Sequence, residues 1–403
     1  MITFRKCRHR PMQKHLGYAK WVFGLIAACV ITISAQEPEA STVQVQTSAK
    51  VNALTVSKTS QGVFSGHVSG MTLTASPQAP PGAGAAPGIV VEQGNGDALK
   101  ASLLAVKEYF VAQNRWHGDK EYRLGFEATS HPHEGESFSL GAALLYDALD
   151  TSVALDDKVC VSGKLTSEGT VERVGGIAGK LAAAADAGFS TVIIPASNAY
   201  VFEDMVILNR QSTLSRFQII GVDHFEQARQ VATSGKSQEV QTALTLYGRI
   251  MNLIRKEGAT HEGLMETLNK KSVSSAIDQI LTAIPQHLSA HCLRAIAKGA
   301  GPTTLSPKGS ASTIDRLWPK LLGADSTGTG IEQSEARKAA LAELDRVTPL
   351  LDASSANYVA AVRHYANLLA GNNGSEDCHN RLREAASSID TERQYIQQKL
   401  RSN

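Results

Sequence analysis

Ser137 and Lys180 are the two side chains whose chemistry could be coupled. A serine hydroxyl is a weak nucleophile until a base takes its proton, and a lysine that has lost its charge can be that base. A solvated lysine cannot, because a pKa of about 10.4 keeps it protonated at neutral pH. Burial among apolar neighbours disfavours the ammonium and lowers that value. Leu181 and the alanines after Lys180 offer such walls. Ser137 ends the run Glu134-Gly135-Glu136-Ser137, where an extended stretch gives way to a helix. The unpaired N–H groups of a helix start would face an oxyanion formed there. Taken singly, these residues read as bland: an early helical lysine is usually solvated, a serine is usually a cap, Ser162 fits a strand end, and Glu134 fits a loop. Ser139 is a rival nucleophile two positions on.

Other patterns in the same stretch fall short of their chemistry. His133-Glu134 opens like a zinc-binding helix, but Ser137 stands where the second histidine belongs. His131 and His133 lack a third ligand, so no metal is expected. Gly135-Glu136-Ser137-Phe138-Ser139 is one glycine short of a nucleophile elbow, on which reading His224, after Asp223, would be the base. The run Gly175-Gly176-Ile177-Ala178-Gly179-Lys180-Leu181 imitates a phosphate loop without its first glycine or its closing hydroxyl. No cofactor is expected.

The elements that must position Ser137 and Lys180 follow from periodicity. Strand patterns cover 61–76, 88–92, 122–128, 159–161, 170–174, 190–195 and 217–222. Leu99, Leu103, Val106 and Phe110 recur at helical spacing, and further helices are expected from Ser137 to Leu149, over 179–187 and over 223–234. Strands alternating with helices indicate an α/β or α+β domain over 60–234. From 237 to 403 the strand signal vanishes. Helices are expected at 238–256, 260–270, 273–284, 287–298, 311–322, 331–352, 354–370 and 375–399. The piece 276–285 resembles half of a tetratricopeptide-type unit, although no fixed period is visible.

A chain of 403 residues with 42% hydrophobic and 19% charged side chains accommodates two or three globular domains. A net charge of +2 gives no reason to expect a nucleic-acid partner. Arg5, Lys6, Arg8, Arg10, Lys14 and Lys20 precede an uncharged apolar run at 21–35. That layout marks 1–36 as a targeting segment. It leaves three fates open: cleavage after Ala35, retention as a membrane anchor, or lipidation at Cys29. Each places the bulk of the chain outside the cytoplasm, periplasmic, secreted or anchored to the membrane. Residues 37–59 read as a polar linker. Cys160 reads as a buried strand residue, whereas Cys292 and Cys378 fit either a disulfide or two separate thiols.

The ordered series across this region resembles the proteolytic domain of Lon proteases, serine peptidases that use a Ser–Lys dyad. The resemblance is carried by Glu134-Gly135-Glu136-Ser137, by Val161-Ser162-Gly163 leading to Val174-Gly175-Gly176, by Lys180, and by the strand 188–195. It implies an α+β fold of mixed sheets with packed helices over 60–234; the all-α, repeat-like region at 237–403 is read from the periodicity alone. It implies Ser137 as nucleophile, Lys180 as base, Ser162 as orienting hydroxyl, and Glu134, Gly135 and Glu136 as active-site loop. The sequence departs from the family at Glu136 for proline, Phe138 for alanine, Glu134 for aspartate, Ser162 for threonine and Lys164 for glutamate. The ATPase module that typically accompanies such domains is not evident. The expectation is therefore an exported, ATP-independent endopeptidase acting on peptides or unstructured segments. The alternative is an inactive Lon-like scaffold working through its helical half. Residues 237–403 are a candidate surface for a protein partner, and the family implies a homo-oligomeric ring.

Overall fold

The computed structural model describes residues 47–58, 64–77, 88–91, 96–127, 135–258, 260–322, 330–370 and 375–402. The targeting segment 1–36, residues 37–46, and His131, His133 and Glu134 lie outside the described residues.

Seven strands form one mixed sheet in the order β3-β4-β2-β1-β5-β8-β9. On one side of the sheet β1 (Ser48–Lys58), β2 (Phe64–Pro77) and β4 (Lys120–Phe126) pair antiparallel, with β3 (Ile89–Val91) parallel to β4. On the other side β5 (Val159–Val161), β8 (Thr191–Pro195) and β9 (Gln218–Val222) continue parallel from β1. Parallel neighbours need crossover connections. Here α3 (Ile177–Asp186) lies between β5 and β8, and α4 (Ala199–Arg216) lies between β8 and β9. A small hairpin of β6 (Lys164–Leu165) and β7 (Val171–Glu172) projects after β5. Helices α1 (Asp97–Ala112), α2 (Ser139–Thr151) and α5 (Phe225–Ala232) complete the packing. Every residue of α2 from Ser139 to Leu149 is buried, which makes it the central helix of the core.

The expected α+β architecture with a helix-rich second half is what the chain adopts. Two expectations need correction. The stretch expected as a linker at 37–59 contains β1, which pairs with β2 on one side and β5 on the other. One buried face is built of Ala49, Val51, Ala53 and Thr55, and Leu54 on the opposite face is fully buried as well. Small inward residues set among Lys50, Asn52, Ser57 and Lys58 give the strand a polar composition. Helix α4 was also not expected. Asn209 takes non-helical angles (φ −142°, ψ 53°) and breaks the run, so its two halves do not share one apolar stripe.

The second half is not one unit. Helices α6 (Gln238–Glu257), α7 (His261–Asn269), α8 (Lys271–Ala283) and α9 (Leu288–Ala297) contribute to the same core as the sheet. Helices α10 (Pro307–Leu322), α11 (Gly330–Val347), α12 (Ala356–Ala370) and α13 (Glu376–Ser402) gather around a separate core of Ile314, Leu344, Tyr358, Val362 and Ile389. Cys160, Cys292 and Cys378 are all free. Among the described residues no helix is long and apolar enough to cross a membrane.

Candidate active site

Lys180 occupies an apolar position of α3. The buried face of that helix is Ile177, Lys180, Leu181 and Ala184, the i, i+3, i+4, i+7 spacing of a core-facing stripe. Lys180 is only 1% exposed. Its Nζ donates to Ser162 Oγ at 2.9 Å. Burial pushes its pKa down to about 8. Among the described residues no carboxylate lies within ion-pair distance of Nζ to oppose that shift. The residues that follow play unequal parts: Leu181 and Ala184 are buried, whereas Ala182 is exposed.

Three features seat α3 at this depth. A Cβ on Gly66 of β2 would lie 2.0 Å from the Gly179 carbonyl oxygen and 2.9 Å from Lys180 N. Strand and helix therefore touch backbone to backbone, which only glycine permits. Gly176, at the helix start, has φ +69°, a left-handed conformation that glycine adopts freely. The Asn198 side chain accepts from Val174 N at 3.0 Å and donates to Val174 O at 3.1 Å, which fixes the loop leading into Gly176.

Ser162 follows β5 and is fully buried. Its N–H donates to Ile193 O of β8 at 3.0 Å. Gly163 then joins this end of the sheet to the turn carrying Ser137. Its N–H donates to Ser137 O at 3.1 Å, and its carbonyl accepts from Leu140 N at 3.2 Å. A Cβ on Gly163 would lie 2.9 Å from both Leu140 and Val171 side chains. Ser137 is thus tied through its main chain to the residue after Ser162, whose hydroxyl holds Lys180. The Lys180 ammonium bonds Ser162 rather than Ser137.

Ser137 sits in the 3-10 turn Glu136–Phe138 that precedes α2, and it is half-buried. Ser139, the rival nucleophile, is fully buried with its hydroxyl in use: Oγ donates to Glu136 O at 3.0 Å and accepts from Leu165 N at 2.7 Å. Phe138 turns inward and meets Phe126 edge-on at 5.0 Å between ring centres. It is buried rather than lining an open cleft. Gly135 is exposed and extended, and Glu136 is half-buried. Glu136 Oε2 lies 3.0 Å from Lys164 Nζ, which also lies 3.3 Å from Glu172 Oε2. The hydrogen bond that Lys164 donates to the Glu136 carboxylate raises the Lys164 pKa above the ordinary lysine value.

The patterns set aside earlier have structural roles. His224 is an exposed residue at the start of α5, where Gln227 Oε1 accepts from the Asp223 N–H at 2.7 Å. The lysine of the phosphate-loop imitation is Lys180 itself, buried on Ser162. Among the described residues no group of three metal-ligating side chains occurs. Sequence reasoning missed Gly66, Asn198 and the Glu136–Lys164 ion pair, because each acts through a partner distant in the chain.

Residues 44–234 match the family model of the Lon protease (S16) C-terminal proteolytic domain. The chain is 25% identical over 169 residues to Lon protease 1 of Herpetosiphon aurantiacus, covering 40% of this chain and 20% of that protein. It is 27% identical over 160 residues to the archaeal Lon protease of Thermoplasma acidophilum, covering 40% and 23%. It is 33% identical over 106 residues to the archaeal Lon protease of Methanothermobacter thermautotrophicus, covering 26% and 16%. The chain therefore spans about a fifth of the length of these curated relatives.

Proposed function

Residues 44–234 are a Lon-type proteolytic domain, and on that premise we propose that the protein is a serine endopeptidase working through a Ser137–Lys180 dyad. One observation carries the reading: a lysine set into the apolar stripe of α3, with no ion-pair partner among the described residues and its Nζ on a buried hydroxyl. Burying an unpaired ammonium is costly, and the group responds by lowering its pKa. At pH 7 a pKa of about 8 leaves roughly one lysine in ten neutral, against a few in ten thousand for an ordinary lysine.

Ser137 Oγ attacks the peptide carbonyl carbon while its proton passes to Lys180 Nζ. N–H groups at the helix start that follows Gly135 receive the oxyanion in this reading. The tetrahedral intermediate then collapses, the C–N bond breaks, and Lys180 returns the proton to the leaving amine. Water attacks the acyl-enzyme with Lys180 again as base and releases Ser137. Ser162, which accepts the 2.9 Å hydrogen bond from Nζ, is the orienting hydroxyl in this reading.

The same reading makes the protein exported, on the basic and apolar leader at 1–35, and independent of ATP. In the phosphate-loop-like run the lysine is buried with its Nζ on Ser162, so it is not offered to a phosphate. Substrates are then peptides or already unfolded segments. Ring assembly and a partner on the helical half belong to the proposal as the family's implications.

The test is hydrolysis of casein and of a peptide library by residues 37–403 without ATP, beside Ser137→Ala and Lys180→Ala. Loss of cleavage in both variants supports the dyad, and full activity in Ser137→Ala refutes it. An inactive scaffold is the second reading, favoured by the bond from Lys180 to Ser162 rather than to Ser137. Acylation of Ser137 by a serine-directed fluorophosphonate would eliminate it.

A further inference from the structure

The turn that carries Ser137 is met by several elements: Ser102 Oγ of α1 donates to Glu136 O at 3.5 Å, Phe138 packs on Phe126 of β4, and the β6–β7 hairpin reaches the turn from downstream. Upstream, Gly135 is exposed, and a Cβ placed on it would meet only Ser137 itself, at 3.7 Å. Downstream, two consecutive residues, Gly163 and Lys164, reach the turn. Gly163 holds it by main chain, N–H to Ser137 O at 3.1 Å. Lys164 reaches it by side chain, Nζ to Glu136 Oε2 at 3.0 Å. Lys164 is not a free tether. It pairs across the hairpin with Glu172 in the β6–β7 register, and its Nζ lies 3.3 Å from Glu172 Oε2. The ammonium is therefore aimed before Glu136 meets it.

We propose that Lys164 is a positioning residue, a clasp that holds the Ser137 turn closed on the β6–β7 hairpin through Glu136; the inference rests on Ser137 being the nucleophile. Without the ammonium, Glu136 and Glu172 face one site as two carboxylates, and their repulsion pushes the turn outward. The three side chains are 33%, 44% and 49% exposed for Lys164, Glu136 and Glu172. Water and salt reach them, so the clasp contributes modestly and weakens with ionic strength.

The experiment uses the full chain and two readouts. The first is the rate of Ser137 acylation by a fluorophosphonate, with kcat and KM for a cleaved peptide. The second is amide hydrogen exchange over residues 135–139, which does not depend on catalysis. Lys164→Met is expected to slow acylation and lower kcat by about 2- to 5-fold, the range of an exposed pair in good geometry, with KM little changed. Turn exchange should quicken by a similar factor. Lys164→Arg should keep most of the wild-type rate. E136K should be slower than Lys164→Met, and the swap E136K/K164E should recover much of the loss. Salt should slow wild-type acylation and leave Lys164→Met nearly unaffected. Unchanged exchange in Lys164→Met, or no recovery in the swap, overturns the clasp. A wild type that is never acylated, with faster turn exchange in Lys164→Met, refutes the peptidase reading and leaves the clasp standing.

Discussion

Replacing Lys180 with methionine should stabilise the protein while abolishing cleavage. Methionine keeps an unbranched stem of similar length and removes the charge. Lys180 is 1% exposed with a pKa of about 8, against about 10.4 for a solvated lysine. At about 1.36 kcal/mol per tenfold in proton affinity, the folded protein is penalised by about 3 kcal/mol at pH 7 for carrying that proton. The substitution also removes the donor to Ser162 Oγ, itself fully buried, which costs about 1 kcal/mol. The net expectation is a gain of about 2 kcal/mol at pH 7. The sign with pH follows from proton binding. Between about pH 8 and 10.4 the unfolded chain binds more protons at this lysine than the folded one, so the wild type gains stability as pH rises. The advantage of Lys180→Met is therefore full below about pH 8 and shrinks away toward about pH 10.4. Urea unfolding measures it, followed by fluorescence of Trp116, which stacks on Tyr146 at 4.7 Å between ring centres inside the first core. In the active wild type, kcat/KM should climb about tenfold per pH unit below pH 8 and level off above it. A methionine variant less stable than wild type at pH 7, or a stability gap unchanged between pH 8 and 10, would refute the reasoning.

Other perturbations have equally definite directions. Ser162→Ala removes the hydroxyl that accepts from Lys180 Nζ; a further fall in the lysine pKa, seen as a lower pH midpoint, and a ten- to hundredfold drop in plateau rate are expected, roughly the cost of a misplaced base. Gly66→Ala would drive a methyl into the Gly179 carbonyl, costing about 1–3 kcal/mol in urea unfolding and displacing Lys180. Asp147 is 1% exposed and holds Arg115 at 2.6 Å and Arg229 at 2.7 Å; Asp147→Asn should cost about 3 kcal/mol, read as a lowered melting temperature. A chain ended after residue 234 should aggregate, whereas one ended after 306 should stay soluble and free of aggregate in size-exclusion chromatography.

The contact of Lys180 with Ser162 was legible from the family order of the two residues, and Nζ does donate to Ser162 Oγ at 2.9 Å. The helices beyond 237 were legible because their apolar spacing is regular, and the expected 238–256 against observed Gln238–Glu257 is typical. What escaped depends on contacts between distant segments. Gly66 looks like any turn glycine until α3 lies on it. Glu136 and Lys164 appeared as two unrelated departures from the family, yet they meet as one ion pair. Strand β1 was hidden by its polar composition, although it lies centrally between β2 and β5.

The helices after the sheet also answer a physical need of the sheet itself. β9 ends the strand order, so one row of its backbone groups would lie open to pairing with another chain. The segment leading into α9 covers that row. Gly221 N–H donates to Gln286 O at 3.0 Å, Ile219 N–H donates to Ser289 Oγ at 2.9 Å, and Ser289 Oγ in turn donates to Phe217 O at 3.2 Å. His287 is fully buried beside the strand, and burial pushes its pKa down to about 3, so it stays neutral. Its Nδ1 accepts from Ala290 N–H at 3.1 Å, which leaves Nε2 to donate to Gln218 Oε1 at 3.1 Å. A neutral histidine in that tautomer seals the edge without placing a charge in the core. Residues 238–297 are thus a structural completion of the peptidase sheet rather than an appendage. Helices α10–α13, with their own core, join the rest through Ser306, whose N–H and hydroxyl donate to the two Asp204 carboxylate oxygens at 2.7 and 2.6 Å. Of the two halves of the helical region, only the latter carries a core that does not depend on the sheet, and a search for a bound partner belongs there first.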